Sequence, residues 1–278
     1  MEAGLFDNIK VGFVIQARMQ STRLPGKVLL PLPFPNGSSL LGRIISQLRE
    51  ISKSSSIIVA TSTNPENDIL EKFCLEEGIF CYRGSEEKVL SRFEAIQRKF
   101  EFDHIFRLTS DNPFIDLPSL KKVFHWHLNQ NNDYSSTKNL PIGMNFEVFR
   151  GESLIKSLFY AGSDFDQEHV TPALKRESHF KSECLDIGYK YENIRVTVDS
   201  PADFLTVNIL FSIADSTGLQ GLGLIDYVKE NYPWILEGNK GVFQKNRTLN
   251  LREEILEAKI ILEELSFQNA ASLLLKNL

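Results

Sequence analysis

The sequence predicts an α/β protein: a mostly parallel, doubly wound sheet with helices on both faces, followed by a C-terminal helical appendage. Two observations lead there. Short apolar runs of strand type alternate with longer segments whose apolar residues recur at helical spacing. The alternation continues without internal repeats or low-complexity tracts until about Gly238, where its character changes. Such alternation builds right-handed βαβ units, and sheets of this kind bind ligands beyond the carboxyl ends of their strands.

In order, Val11–Ile15, Ile57–Thr61, Ile79–Tyr82 and Ile105–Leu108 read as strands, and Ile194–Val198 as an apolar strand ahead of Asp199. Leu40–Glu50, Pro65–Glu77 and Glu86–Phe100 read as helices. In the second of these, Ile69, Leu70, Phe73 and Cys74 make one face, and Pro65 suits a first turn. Beyond residue 238, Asn250-Leu-Arg-Glu253 has the form of a capping box. It opens a helix with apolar positions Leu251, Ile255, Leu256, Ile260, Ile261 and Leu265, and a shorter apolar segment, Ala270 to Leu275, follows. We therefore expect a domain over residues 1–238 and a helical extension over 239–278. The extension's apolar face needs a partner: the domain itself, a homodimer interface or a fusion point.

The chain's 278 residues, 42% hydrophobic and 24% charged, suit a globular protein of one large domain or a domain with an appendage. A formal net charge of −5 argues against general nucleic-acid binding. Cys74, Cys81 and Cys184 form neither a Cys-x-x-Cys pair nor a metal-ligand spacing, which suits thiols in a reducing compartment. Met1–Lys10 carries acidic residues and no long apolar core, and no stretch approaches the roughly 20 apolar residues of a membrane span. The expectation is a cytoplasmic protein without membrane or nucleic-acid partners.

On this acidic background the segment Val11–Lys27 stands out. An apolar strand runs into a loop with three cations (Arg18, Arg23, Lys27) and two hydroxyls (Ser21, Thr22), punctuated by Pro25-Gly26. Cations, hydroxyls and backbone N–H groups at a strand end suit a polyphosphate, although a solvated loop has the same composition. A Walker-type loop is excluded, because Ser21 and Val28 stand where it needs Gly and Ser or Thr. Two further segments place an aspartate after an apolar strand and before a proline: Phe106–Pro113, with Asp111, and Ile194–Asp203, with Asp199. Each fits a magnesium ligand on a nucleotide, and each also fits a turn or a helix cap.

Gln16-Ala17-Arg18 together with Ser21–Lys27 resembles the signature loop of the sugar cytidylyltransferases, a family that includes the CMP-Kdo and CMP-acylneuraminate synthetases. Within it, the branch named after spore-coat polysaccharide biosynthesis protein F is the nearest. The resemblance spans about residues 10–235. Ser110-Asp111-Asn112-Pro113 is similar to the family's Gly-Asp-x-Pro element, and Val198–Asp203 to its Val-Asp-Thr-Pro-Glu-Asp element. Tyr82–Arg92 is similar to the element after the third strand, and Gln167–Pro172 to the family's Glu-His-Val-Thr-Pro string.

The resemblance implies a nucleotide-diphospho-sugar transferase-like Rossmann variant that couples CTP and a sugar, an acidic one of surface-glycan biosynthesis, into a CMP-sugar and pyrophosphate. It implies catalytic roles for Arg18, Lys27, Asp111 and Asp199, with Mg2+ on the two aspartates. Nucleotide contacts would come from Gln16, Ala17, Arg18, Ser21, Thr22, Arg23, Lys27, Arg83, Ser85 and Arg92, with Ser85 alternatively an N-cap. Glu147, Glu168 and His169 would bind the sugar, His169 alternatively serving a structural part.

The chain departs from the pattern at Gln20, usually Gly, and in Pro141-Ile142-Gly143-Met144-Asn145-Phe146-Glu147. There Ile142 and Asn145 replace carboxylates of Pro-Asp-Gly-x-Asp-x-Glu. Alternatives are the same fold using UTP or GTP, or an assembly subunit without turnover.

Overall fold

The computed structural model describes residues 9–188, 191, 193–242, 251–264 and 267–275. Asn250, the expected helix cap, lies outside them. The chain forms two compact units, Met1–Gly238 and Asn239–Leu278.

In the first unit, β1 (Val11–Gln16) leads through a small hairpin, β2 (Pro31–Leu32) and β3 (Ser38–Ser39), to α1 (Leu40–Arg49). Then follow β4 (Ile57–Ser62), α2 (Asp68–Glu76), β5 (Phe80–Gly84), α3 (Val89–Phe100) and β6 (His104–Thr109). The second half comprises α4 (Leu117–Asn129), β7 (Tyr134–Lys138), β8 (Glu147–Arg150), α5 (Gly151–Ser157), α6 (Asp164–His169), α7 (Pro172–Arg176), β9 (Ser182–Asp186), α8 (Pro201–Thr217) and α9 (Gly221–Asn231). The second unit holds α10 (Leu251–Glu264) and α11 (Gln268–Leu275), which pack against each other.

Seven strands make one sheet in the order β5-β4-β1-β6-β8-β7-β9, and only β8 runs antiparallel to its neighbours. From β1 the chain first moves outward through β4 to β5, then returns to the other side of β1 with β6. The strand order therefore reverses between β1 and β6, and a crevice opens beyond their carboxyl ends. Residues 17–27 and 110–116 flank it.

Both faces are covered at the middle of the sheet, which is why β1 and β4 are apolar runs rather than alternating. Phe13, Ile15, Val59 and Phe106 point into a core with α1, α2, α4, α8 and α9. Val14, Ile58, Ala60 and Ile105 point the other way, toward α3, α5 and α7. Phe13 and Phe106 stack at 5.3 Å between centroids across the β1–β6 pair. Burying side chains of this size contributes about 1.5–3 kcal/mol each.

Local chemistry sets the helix starts near the crevice. Ser39 Oγ accepts from Gly42 N at 3.0 Å, and Asp116 Oδ2 from Ser119 N at 2.9 Å. Ser200 and Asp203 form a reciprocal capping box at α8, with Pro201 in the first turn. Two expectations need correction. Helix α3 begins at Val89 rather than Glu86, because Ser85 Oγ accepts from Lys88 N at 3.2 Å and closes a turn first. Ile194–Val198 is not a strand: it makes one isolated bridge, Ile142 to Arg195. Its backbone bonds go first to Ile142 and then to Asp111, so no single ladder can form. No helix among the described residues is long and apolar enough to cross a membrane.

Candidate active site

The cationic loop is anchored at both ends. Ala17 N donates to Ala60 O at 3.1 Å, and Gly26 N to Met19 O at 3.0 Å. Gly26 sits at φ 71°, a left-handed turn that glycine adopts without strain. Asn67, buried behind the loop, accepts from Met19 N at 2.8 Å and donates to Ser62 Oγ at 2.7 Å. Ser21 Oγ accepts from Leu24 N at 3.4 Å, while Thr22 and Arg18 are exposed.

The two aspartates meet because the backbone binds them together. Val198 N donates to Asp111 O at 2.8 Å, and Thr197 Oγ1 to the same oxygen at 3.2 Å. Gly143 makes room for this seam: at φ 101°, a Cβ there would lie 2.7 Å from Thr197 N. Lys27 then reaches across. Its Nζ lies 3.4 Å from Asp111 Oδ2, 3.0 Å from Asp199 Oδ1 and 2.6 Å from Val198 O. Arg23 approaches Asp199 Oδ2 at 3.6 Å.

Arg195, 5% exposed, holds the same Oδ2 at 2.9 Å and grips the buried Asp203 with Nε at 2.8 Å. Asp203 in turn accepts from the Asp199 and Ser200 N–H groups, each at 3.0 Å. Burial alone would raise the Asp199 carboxyl, but Lys27 and Arg195 outweigh it and hold the group below the usual carboxylate range.

These donors fit magnesium. Two hard carboxylates converge on one cation-sized position, which the Lys27 ammonium marks, and magnesium prefers one or two carboxylates plus phosphate oxygens and water. Among the described residues no cluster of three or more His, Cys, Asp or Glu that could hold a metal ion forms.

Beside the aspartates lies a cavity of about 440 Å³ whose lining includes Arg107, Thr109, Asn112, Asn145, Glu147 and Lys175. A second, of about 520 Å³, shares Arg107, Glu147 and Lys175 and adds Phe165, His169 and Arg176. Glu147 is the hub between them. It accepts from Arg107 at 2.8 Å, Tyr134 OH at 2.7 Å, Thr171 Oγ1 at 3.1 Å and Lys175 Nζ at 2.5 Å. Burial opposes its ionisation, yet Arg107 and Lys175 prevail and lower its pKa to about 2. The same burial and the Glu147 charge push the Tyr134 hydroxyl well above its ordinary value. Arg107 also donates to Gln16 Oε1 at 3.2 Å, which links this hub to the end of β1.

A family model described as cytidylyltransferase matches residues 13–206. The chain belongs to that family. It is 36% identical over 213 residues to the spore coat polysaccharide biosynthesis protein SpsF of Bacillus subtilis, covering 73% of this chain and 86% of that protein. A cytidylyltransferase structure from Leptospira borgpetersenii superposes with a TM-score of 0.74 at 27% identity, covering 87% of this chain and 99% of the other. The structure of CMP:2-keto-3-deoxy-manno-octonic acid synthetase with CTP shares the fold, with a TM-score of 0.57 at 15% identity over 73% and 99% of the two chains.

In this nucleotidyltransferase the crevice gathers Arg23, Lys27, Asp111 and Asp199. Arg18 instead faces Glu86 at 3.5 Å. Arg83 turns to α2, pairing with Asp68 at 2.6 Å and Glu71 at 2.9 Å. Arg92 is 3% exposed and donates to Ala60 O and Glu86 O, so it braces the loop from below. Burial lowers its pKa to about 10.

His169 lines the second cavity with its ring 4.3 Å from Phe165, whereas Glu168 is exposed beside it on α6. The replaced acceptor-side residues have defined places: Ile142 N donates to Ile194 O at 2.7 Å, and Asn145 Oδ1 accepts from Thr137 Oγ1 at 3.3 Å. Sequence reasoning missed Asn67, Arg107, Lys175 and Arg195. For Arg195 a signal existed, an arginine four residues before Asp199 inside an apolar run.

Proposed function

We propose that this cytidylyltransferase joins CTP to an acidic sugar of surface-glycan biosynthesis, releasing pyrophosphate. The anomeric hydroxyl attacks the α-phosphorus in line; a new P–O bond forms as the bond to the departing pyrophosphate breaks. The observation that carries this reading is the Lys27–Asp111–Asp199 cluster, with Asn112, the neighbour of Asp111, lining the 440 Å³ cavity. Magnesium on Asp111 and Asp199 would neutralise charge on the triphosphate. Arg23 and Lys27 bind the β- and γ-phosphates, with Arg18 at the loop's outer side. Gln16 and Ala17 present the end of β1 to the base.

Support for an acidic acceptor comes from Lys175. Its ammonium spends one bond on Glu147, lies 5.1 Å from the Tyr134 ring and lines both cavities. Arg107 stands beside it. Glu147 is not a base for the hydroxyl, because a carboxylate whose pKa Arg107, Lys175 and Tyr134 lower to about 2 is a poor proton acceptor. The name of the Bacillus relative supports a surface polysaccharide as destination.

A pyrophosphate-release screen tests the proposal, with CTP, UTP or GTP against eight- and nine-carbon acidic sugars and neutral hexoses. Release with CTP and an acidic sugar is expected. Release with UTP alone, or with hexoses alone, refutes the corresponding half.

A further inference from the structure

Lys27 belongs to the proposed triphosphate loop, yet its ammonium is bonded to the segments that carry the two aspartates. An ammonium has three N–H donors. Here three oxygens face it, Asp111 Oδ2, Asp199 Oδ1 and Val198 O, and its side chain is only 12% exposed. In this arrangement no donor remains for a phosphate. The carboxylates are equally committed. Asp199 Oδ2 is held by Arg195 and approached by Arg23, and its other oxygen points at Lys27, as does Asp111 Oδ2.

We propose that Lys27 is a resident counter-ion that occupies the divalent-metal position until metal and nucleotide arrive together. Two carboxylates fixed side by side by the Val198–Asp111 backbone bond repel unless a cation lies between them. The ammonium performs that task until a metal binds. A divalent ion and Lys27 cannot share the position, so the ion must displace the lysine. The freed ammonium then has its three donors available within the loop that faces the triphosphate.

Each ligand thereby prepares the site for the other: the ion releases the lysine that the phosphates need, and phosphates that draw the lysine away expose the carboxylates. Metal alone is consequently a weak ligand. Lys27 is thus a positioning residue for the carboxylates before it is a phosphate contact.

The inference rests on the cytidylyl-transfer reading only for the identity of the triphosphate, and its test needs neither CTP nor sugar. Mn2+ alone is titrated into the full chain and its binding read by calorimetry or by the electron paramagnetic resonance of the free ion. Lys27→Met is expected to bind Mn2+ at least about tenfold more tightly than the wild type, and Asp111→Asn to lose the site. Unchanged or weaker binding in Lys27→Met overturns the proposal, as does unchanged binding in Asp111→Asn.

A measurement on the wild type covers the case in which Lys27→Met fails to fold. Mn2+ should raise acylation of Lys27 by an amine-reactive reagent several-fold, read by peptide mass spectrometry; no change overturns the proposal. A chain that behaves this way but makes no CMP-sugar refutes the proposed function and leaves the counter-ion inference standing.

Discussion

Two ionic clusters can be compared, one in the loops after β6 and before α8 and one within the β6–β8–β7 ladder, and they are built on opposite principles. Around Asp111 and Asp199 the carboxylates are partly exposed, at 31% and 23%, and share a lysine that belongs to a loop. Around Glu147 one carboxylate, 18% exposed, accepts from four side chains on β6, β7 and the Thr171–Lys175 segment. The first cluster can exchange one cation for another without unfolding anything. The second cannot lose its carboxylate without taking an acceptor from Arg107 and from the Tyr134 hydroxyl. On the proposed reading, chemistry belongs to the exchangeable cluster, and the fixed one shapes the two cavities that Glu147 lines.

The largest effect separates the two most sharply. Asp111→Asn keeps the backbone carbonyl that binds Val198 N and removes only charge from a partly exposed side chain. We expect turnover to fall on the order of 10²- to 10³-fold, with a melting temperature within a few degrees of the wild type. Steady-state pyrophosphate release and thermal denaturation read the two quantities. A large loss of stability with intact turnover would invert the comparison.

Glu147→Ala should do the opposite. It leaves Arg107 and the Tyr134 hydroxyl without their acceptor, and breaking such a buried pair costs about 3–5 kcal/mol. Urea unfolding measures this. The pH dependence sharpens it. A carboxylate lowered from its ordinary value of about 4.5 to about 2 contributes stability that is present above pH 4.5. That contribution is lost as the pH falls through 2. Glu147→Gln should therefore flatten the acid limb between those values, and a curve that keeps the wild-type slope there rules out Glu147 as its source.

The same contrast governs what could be read from the sequence. Strands β1, β4, β5 and β6 were legible as short apolar runs, and α1 and α2 because one face of each must be apolar. The loop and both aspartates were legible because their residue types sit together in short strings. Strand β7 was not: Tyr134-Ser-Ser-Thr-Lys138 is polar, yet Tyr134 and Ser135 are buried, their burial set by the neighbouring strands. The segment before Asp199 carried apolar residues for a strand, but its bonds are divided between two loops. Arg92 sits in a nucleotide-like string and lies under the sheet, where Gly84 makes space for its stem. Lys175 could not be found from spacing, since it is one lysine on the short α7 and only the fold sets it over Tyr134.

Lys175 joins the two clusters' territories and gives the smallest, most specific prediction. It is 47% exposed, so its pair with Glu147 contributes little to stability, under about 1 kcal/mol. Glu147 keeps three other donors when Lys175 is replaced by methionine. A charge-assisted bond to a substrate carboxylate is worth about 1.5–3 kcal/mol, so Lys175→Met should raise KM for an acidic sugar at least tenfold. The KM for CTP should stay within twofold, because the cations proposed to hold its phosphates lie in the other cluster. If both constants rise together, the cavities are not an independent acceptor site. If neither moves, the acceptor's charge is recognised elsewhere, and Arg107 is the next side chain to replace.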